Sequence, residues 1–331
     1  MILSMQYMRA IAALLVVIHH ARFKASIYST NPLEWFHIGG AGVDLFFIIS
    51  GFIMCYTVDT KKISLSKFLI ARVKRIIPLY WVLTSFALVA FMLYPDKVNS
   101  SGGVTNIAAS YFLFPTTDSY LIKNGWTLSY EFFFYALFAT GLFFISKLRF
   151  LLPVILISLL VGIGIIIEPK NQIVNFMTDS LLLEFVFGIF LFYLYKKTQL
   201  NTTLGFVFVA LAVLAFYIVN QNQLNYPRVV EYGLPALLLF IGMLSFEPFF
   251  QKNKSHPFLL LFESIGNSSY SLYLLHPFVL VAATMILVKL GLAEHGYLFA
   301  ALLSISSIIG GHLCYLILEK NLQKMVRYFS R

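Results

Sequence analysis

The stretch Met5-Gln-Tyr-Met-Arg9-Ala-Ile-Ala-Ala-Leu-Leu-Val-Val-Ile-His19-His20-Ala21 is long and apolar enough to cross a bilayer, yet it carries an arginine near one end and two histidines at the other. An ionisable group at membrane depth costs about 2.5–3.5 kcal/mol on insertion scales, so such groups are rare without a task. Arg9 and His20 are 11 positions apart. At about 100° per residue that is three turns plus about 20°, so both side chains lie on one stripe, roughly 16 Å apart along the axis. His19 is rotated by about 100° and faces a different neighbour. The pattern describes one wall of a polar passage through an apolar helix. The alternative is an Arg9 that snorkels to one interface and two histidines resting at the other.

Composition points the same way. Hydrophobic residues make up 60% of the 331 positions, charged residues 11%, and mean hydropathy is +0.83. A soluble domain would carry roughly a quarter charged residues. The expected class is an all-α, polytopic transmembrane bundle forming one membrane domain over residues 1–331. The net charge of +10 does not make a nucleic-acid stripe, because the cations sit between apolar runs as topology signals. Cys55 and Cys314 fall inside apolar runs and suggest neither a disulfide framework nor a metal site. The amino terminus lacks a basic n-region and Arg9 interrupts the only candidate apolar core, so no cleaved signal peptide is expected.

The length criterion predicts about ten spans: Met5–Ala21, Ala41–Val58, Ile76–Tyr94, Trp126–Ser146, Leu151–Ile167, Asp179–Tyr195, Leu204–Asn220, Val229–Phe246, Tyr270–Leu290 and Tyr297–Leu318. With both termini cytoplasmic, the inner segments carry Lys61, Lys62, Lys67, Arg72, Lys74, Arg75, Lys147, Arg149, Lys196, Lys197, Lys252, Lys254, Lys320, Lys324, Arg327 and Arg331. The outer segments carry Arg22, Lys24, Lys97, Lys123, Lys170, Arg228 and Lys289. That excess of roughly two to one obeys the positive-inside rule, and an odd number of spans would scramble it.

Several side chains stand out within this frame. Glycines before Asp44 allow close backbone approach, and Asp44 either complements a helix N-terminus or has a functional role. Arg72 and Arg75, at i and i+3 ahead of Pro78 and Tyr80, share one face of a short helix. They suit either phosphates or anionic lipid. The apolar middle of the long outer loop, 108–115, is too short to span and fits an interfacial or re-entrant helix. Glu131 lies among aromatic residues and must be protonated, paired with a cation or facing water. Ser268 to His276 places hydroxyls, a phenol and an imidazole around the start of the ninth span, where Pro277 should bend the helix.

Taken together, these stretches resemble the integral-membrane acyltransferase-3 family, O-acetylases of bacterial surface polysaccharides and related lipids, and look most similar to its exopolysaccharide-modifying branch. The resemblance rests on Arg9 to His20, Gly42-Val-Asp44-Leu-Phe-Phe-Ile-Ile-Ser50-Gly51-Phe52, Arg72-Val-Lys-Arg75-Ile-Ile-Pro78-Leu-Tyr80, Trp126-Thr-Leu-Ser129-Tyr-Glu131 and Ser269-Tyr270-Ser-Leu-Tyr-Leu-Leu-His276. Smaller echoes are Glu184-Phe-Val-Phe-Gly188 and Glu319-Lys320. Two positions depart from the family pattern. Phe132 and Phe133 stand where a glutamate and a glutamine often follow Glu131, and Asn321 stands where a proline is common.

The resemblance implies a cytoplasmic acyl-coenzyme A co-substrate, with acetyl the expected acyl group, and no bound cofactor. It implies a polysaccharide or lipid-linked glycan as acceptor, lipid contact but no nucleic acid, and a multi-pass place in the bacterial inner membrane. The polyanionic nucleotide would stay near Arg72, Arg75 and Arg9 while the pantetheine arm reaches toward His20. His20 is expected to act as general base or acyl carrier, with Glu131 orienting it. Asp44, Tyr80, Ser129, Tyr270 and His276 are candidates for substrate binding or helix packing. A polysaccharide or lipid-linked sugar transporter and a non-enzymatic assembly component are the competing classes. A transporter would more usually show internal repeats, and none is evident here.

Overall fold

A computed structural model describes residues 2–28, 33–60, 63–95, 104–144, 148–198, 201–222 and 225–328, and the fold is an all-α bundle. Among the described residues the only β pairing is an isolated bridge between Thr105 and Ser119. The helices are α1 (Leu3–Tyr28), α2 (Ala41–Thr60), α3 (Leu65–Leu93), α4 (Ile107–Phe112), α5 (Gly125–Gly141), α6 (Leu148–Ile167) and α7 (Gln172–Met177). They continue as α8 (Leu182–Lys197), α9 (Thr202–Asn222), α10 (Val229–Ser245), α11 (Glu247–Lys252), α12 (Pro257–Lys289), α13 (Gly296–Cys314) and α14 (Lys320–Tyr328). Lys61, Lys62, Lys97, Lys147 and Arg331, which entered the charge asymmetry, lie outside the described residues, as does Ser146.

Among the described residues eight helices, rather than the ten expected, are long and apolar enough to cross a membrane by length and composition. The other two expected spans form α5, with 17 residues, and the shorter apolar helix α10. At 1.5 Å per residue α5 reaches about 26 Å, short of the roughly 30 Å of hydrocarbon. Most of its positions, from Thr127 through Ala139, are covered by neighbours, so α5 need not match lipid thickness. Two starts also differ from the expected ones. Helix α3 begins at Leu65, so Arg72 and Arg75 lie on the same continuous helix as Pro78 and Tyr80 rather than on a separate short one.

The larger correction concerns α12, which begins at Pro257 and runs for 33 residues, so Tyr270 to His276 lie mid-helix rather than at its start. Two of the serines turn their hydroxyls to acceptors, while Ser269 Oγ is buried with no hydrogen-bond partner among the described residues. Ser268 Oγ donates to the Ser264 carbonyl at 3.0 Å, and Ser271 Oγ donates to Glu319 Oε2 at 2.5 Å. Pro277 lacks an N–H for the carbonyl of Tyr273 one turn earlier. That carbonyl instead accepts Asn124 Nδ2 at 2.8 Å, from the loop leading into α5. The apolar loop segment forms α4, capped by the Asn106 side chain on Ala109 N at 2.9 Å.

Helices α1, α2 and α12 form the centre of the bundle, with α1 packed along α12 and α2 against α8. In lipid, apolar faces gain little from meeting one another, so close contact depends on small residues and shape. A Cβ at Gly42 would strike the Ala12 carbonyl of α1, which is the close approach the sequence predicts. Gly51 and Gly188 likewise bring α2 and α8 nearly backbone to backbone. Around this contact Phe134 stacks on Phe185 at 4.2 Å between centroids, and Phe52, Phe134, Phe138 and Phe185 are all fully buried. Replacing Gly188 by Ala drives a methyl into the Ile48 carbonyl and the Phe52 amide, neither of which can move aside. Overpacking of this kind costs about 1–3 kcal/mol. The purified Gly188→Ala protein should therefore unfold at a lower temperature in detergent, and an unchanged midpoint would contradict the contact.

Candidate active site

Two connected hollows occupy one end and the middle of the bundle. A cavity of about 100 Å³ lies between α1, α2, α3, α5 and α12, lined by Arg9, Arg72, Arg75, Glu131, Tyr270 and Tyr273 among others. A wider vestibule of about 450 Å³ opens below it, lined by Lys74, Arg327, Tyr315 and Glu319. Arg9 and Arg75 line both hollows and so form the neck between them.

Within the cavity, Glu131 is held by hydroxyls. Ser50 Oγ donates to Glu131 Oε1 at 3.1 Å, and the Tyr135 hydroxyl donates to the same oxygen. Glu131 also lies within electrostatic range of Arg9 and Arg72. A carboxylate among aromatic rings thus faces a hollow and is held by hydroxyls, with no ion pair to a cation among the described residues. Arg72 Nε is buried with no hydrogen-bond acceptor among the described residues, while its guanidinium lies 5.8 Å from the Phe68 ring. Arg9 donates to Gln6 at 3.3 Å. Three guanidiniums therefore face one hollow with donor capacity to spare, an arrangement suited to oxyanions.

The histidines stand apart from this cluster. His20 Nδ1 lies 2.9 Å from the Val16 carbonyl, an acceptor only, so Nδ1 carries the proton and Nε2 keeps its lone pair. Nε2 of His20 has no hydrogen-bond partner among the described residues. His276 is fully buried, with Nδ1 3.1 Å from the Leu272 carbonyl and Nε2 3.4 Å from His20 Nδ1. The expected orientation of His20 by Glu131 is replaced by these two contacts, because Ser50 and Tyr135 hold Glu131 on the α2 side of the cavity. Tyr273 connects the two groups. It lines the cavity, its hydroxyl bonds Thr127 Oγ1 at 2.8 Å, and its ring centroid lies 6.2 Å from that of His276. His19 turns away from the site, edge-on to Phe23 at 4.8 Å.

The remaining candidates divide between the hollow and the packing. Tyr270 lines the cavity and donates to the Ile76 carbonyl at 2.7 Å. Tyr80 is fully buried and donates to the Ser110 carbonyl at 2.6 Å, tying α4 to α3. Ser129 is buried 3.1 Å from the Tyr120 hydroxyl, whose own pKa burial pushes up. Asp44 is fully buried and takes Arg228 Nε at 2.9 Å and Nη2 at 2.7 Å, while Nη2 also reaches the Gly40 carbonyl at 2.8 Å. Glu184 is fully buried beside this pair.

Sequence reading counted Arg228 as a loop cation and did not foresee its role as partner to Asp44, since 184 positions separate them. It also passed over Tyr135, although the i, i+4 spacing from Glu131 was available as a signal. Removing one partner of a buried pair leaves the other charge uncompensated. Because Arg228 is about one-third exposed, Arg228→Ala should cost on the order of 3 kcal/mol, at the low end for such pairs. A fluorescence-detected thermal melt in detergent checks this, and wild-type stability would refute it.

Comparisons with known proteins agree with this architecture. The acyltransferase-domain profile of the acyltransferase-3 family matches residues 2–316. The chain is 32% identical over 303 residues to the exopolysaccharide production protein ExoZ of Rhizobium meliloti, covering 88% of this chain and 92% of that protein. It is 26% identical over 336 residues to the O-acetyltransferase OatA of Staphylococcus aureus, covering 90% of this chain but only 53% of OatA. No solved structure matches the chain. With the family profile spanning almost its whole length, the chain belongs to the integral-membrane acyltransferase-3 family and is an acyltransferase.

Proposed function

We propose that this enzyme transfers an acyl group, acetyl in the first instance, from acyl-coenzyme A to a hydroxyl of a cell-surface polysaccharide or lipid-linked glycan. The observation that carries this reading is the guanidinium neck, where Arg9 and Arg75 line both a wide basic vestibule and a narrow cavity that Tyr273 separates from the histidine pair. Coenzyme A is a polyanion that cannot enter hydrocarbon, so its nucleotide stays in the vestibule against Lys74, Arg75 and Arg327. Its thin pantetheine arm passes the neck and carries the thioester into the cavity past Glu131. The names of ExoZ and OatA support a glycan acceptor and an acetyl group. The excess of Lys and Arg at the vestibule end supports a cytoplasmic donor side, and a bacterial inner membrane supplies that arrangement.

In this reading His20 Nε2 takes the proton of the acceptor hydroxyl, and the resulting oxygen attacks the thioester carbonyl. The new C–O bond forms as the C–S bond breaks, and the proton passes from His20 to the departing thiolate, giving the ester and free coenzyme A. The Val16 carbonyl fixes the His20 tautomer, as a third group orients the base in other acyl transferases. An acyl-histidine formed on the same Nε2 would use the same lone pair and the same orientation. Movement of Tyr273 off Thr127 would join the cavity to the histidines.

His20→Ala should reach the membrane in normal amounts and lose label transfer from acetyl-coenzyme A by about 100-fold or more, the usual range for a general base. Radiolabel transfer in membranes, with expression followed by blotting, checks the outcome. Full transfer by that variant would overturn the assigned role.

A further inference from the structure

The vestibule holds four cations, Arg9, Lys74, Arg75 and Arg327, and Glu319 is the single carboxylate among its lining residues. Glu319 is placed with unusual care. Helix α13 passes into α14 through a π turn, Tyr315–Glu319, and such turns recur at functional sites. The turn points Glu319 inward, where it is only 6% exposed. Ser271 Oγ holds Oε2 at 2.5 Å, and Gln323 Nε2 holds Oε1 at 3.0 Å. Both Arg9 and Arg75 feel its charge, yet it forms an ion pair with neither among the described residues.

That separation matters. A direct bridge would consume the guanidinium donors and close the neck. A carboxylate fixed one step back offsets the repulsion between Arg9 and Arg75 and leaves their N–H groups free for phosphate oxygens. Glu131 provides the opposite charge from the cavity side, so the neck is balanced above and below. We propose that Glu319 is the positioning residue of the Arg9–Arg75 neck, a fixed counter-charge that orients both guanidiniums toward a phosphate-bearing donor and weakens their grip enough for the product to leave. This inference rests on the reading of the donor as acyl-coenzyme A.

The test is Glu319→Gln, which keeps the shape and one acceptor oxygen but removes the charge. Without that charge the vestibule should bind polyanions more tightly and release them more slowly. KM for acetyl-coenzyme A and Kd for coenzyme A should fall about three- to tenfold, and kcat should fall with them. KM for acetyl-pantetheine, which lacks phosphates, should not change. Glu319→Asp should restore part of the wild-type values, and Ser271→Ala, which keeps the charge but frees Oε2 to bridge a guanidinium, should instead raise both constants. The Ser271 variant keeps the proposal testable should Glu319→Gln fold poorly. A fall in kcat with unchanged KM and unchanged coenzyme A affinity in both variants would overturn the positioning role while leaving the donor reading intact. Wild-type protein that binds no coenzyme A by calorimetry would overturn the donor reading and this inference with it.

Discussion

The structure depends on one constraint, that charge inside an apolar bundle must meet opposite charge, hydroxyl or water. Arg9, Arg72 and Arg75 lie between Glu131 on one side and Glu319 on the other, and each carboxylate is itself held by hydroxyl or amide donors. Arg228 with Asp44 and Glu184 forms a second, separate knot of charge. Remove the anions and the three guanidiniums would repel one another in a medium that screens poorly. Helices α1, α2, α3, α5 and α12 surround the hollow, while the less covered α6 and α9 are the greasier ones.

Charge and imidazole are assigned to different depths. The guanidiniums line the hollows, and the histidine pair lies beyond Tyr273. That placement leaves an aromatic ring between the hollow and the imidazoles. The Val16 carbonyl contributes a further economy. It sets the tautomer of His20 from within the same helix, four residues back, so the orientation of the ring does not rely on distant packing.

Much of this was legible in the sequence. The Arg9-to-His20 stripe, the glycines before Asp44, the short loop helix and the membrane class all follow from periodicity, length and hydropathy. What escaped was long-range pairing. Asp44 and Arg228, or Ser271 and Glu319, are brought together by tertiary packing that no local spacing encodes. The start of α12 was missed for a related reason. Asn267 to Ser269 reads as a polar break in an apolar run, and only tertiary packing shows that the helix continues through it. Glu131 was expected to face His20, but the nearer hydroxyls of Ser50 and Tyr135 take it first.

The carbonyl of Tyr273 that Pro277 leaves without a donor has an architectural effect beyond its own hydrogen bond. Asn124 satisfies it from the extramembrane connection, so the loop that would greet an acceptor is fastened to the helix bearing His276. Grafting that loop from a relative to alter acceptor preference would therefore have to bring an amide at position 124, or the transplanted segment would lose its anchor and leave a bare carbonyl at the heart of the bundle.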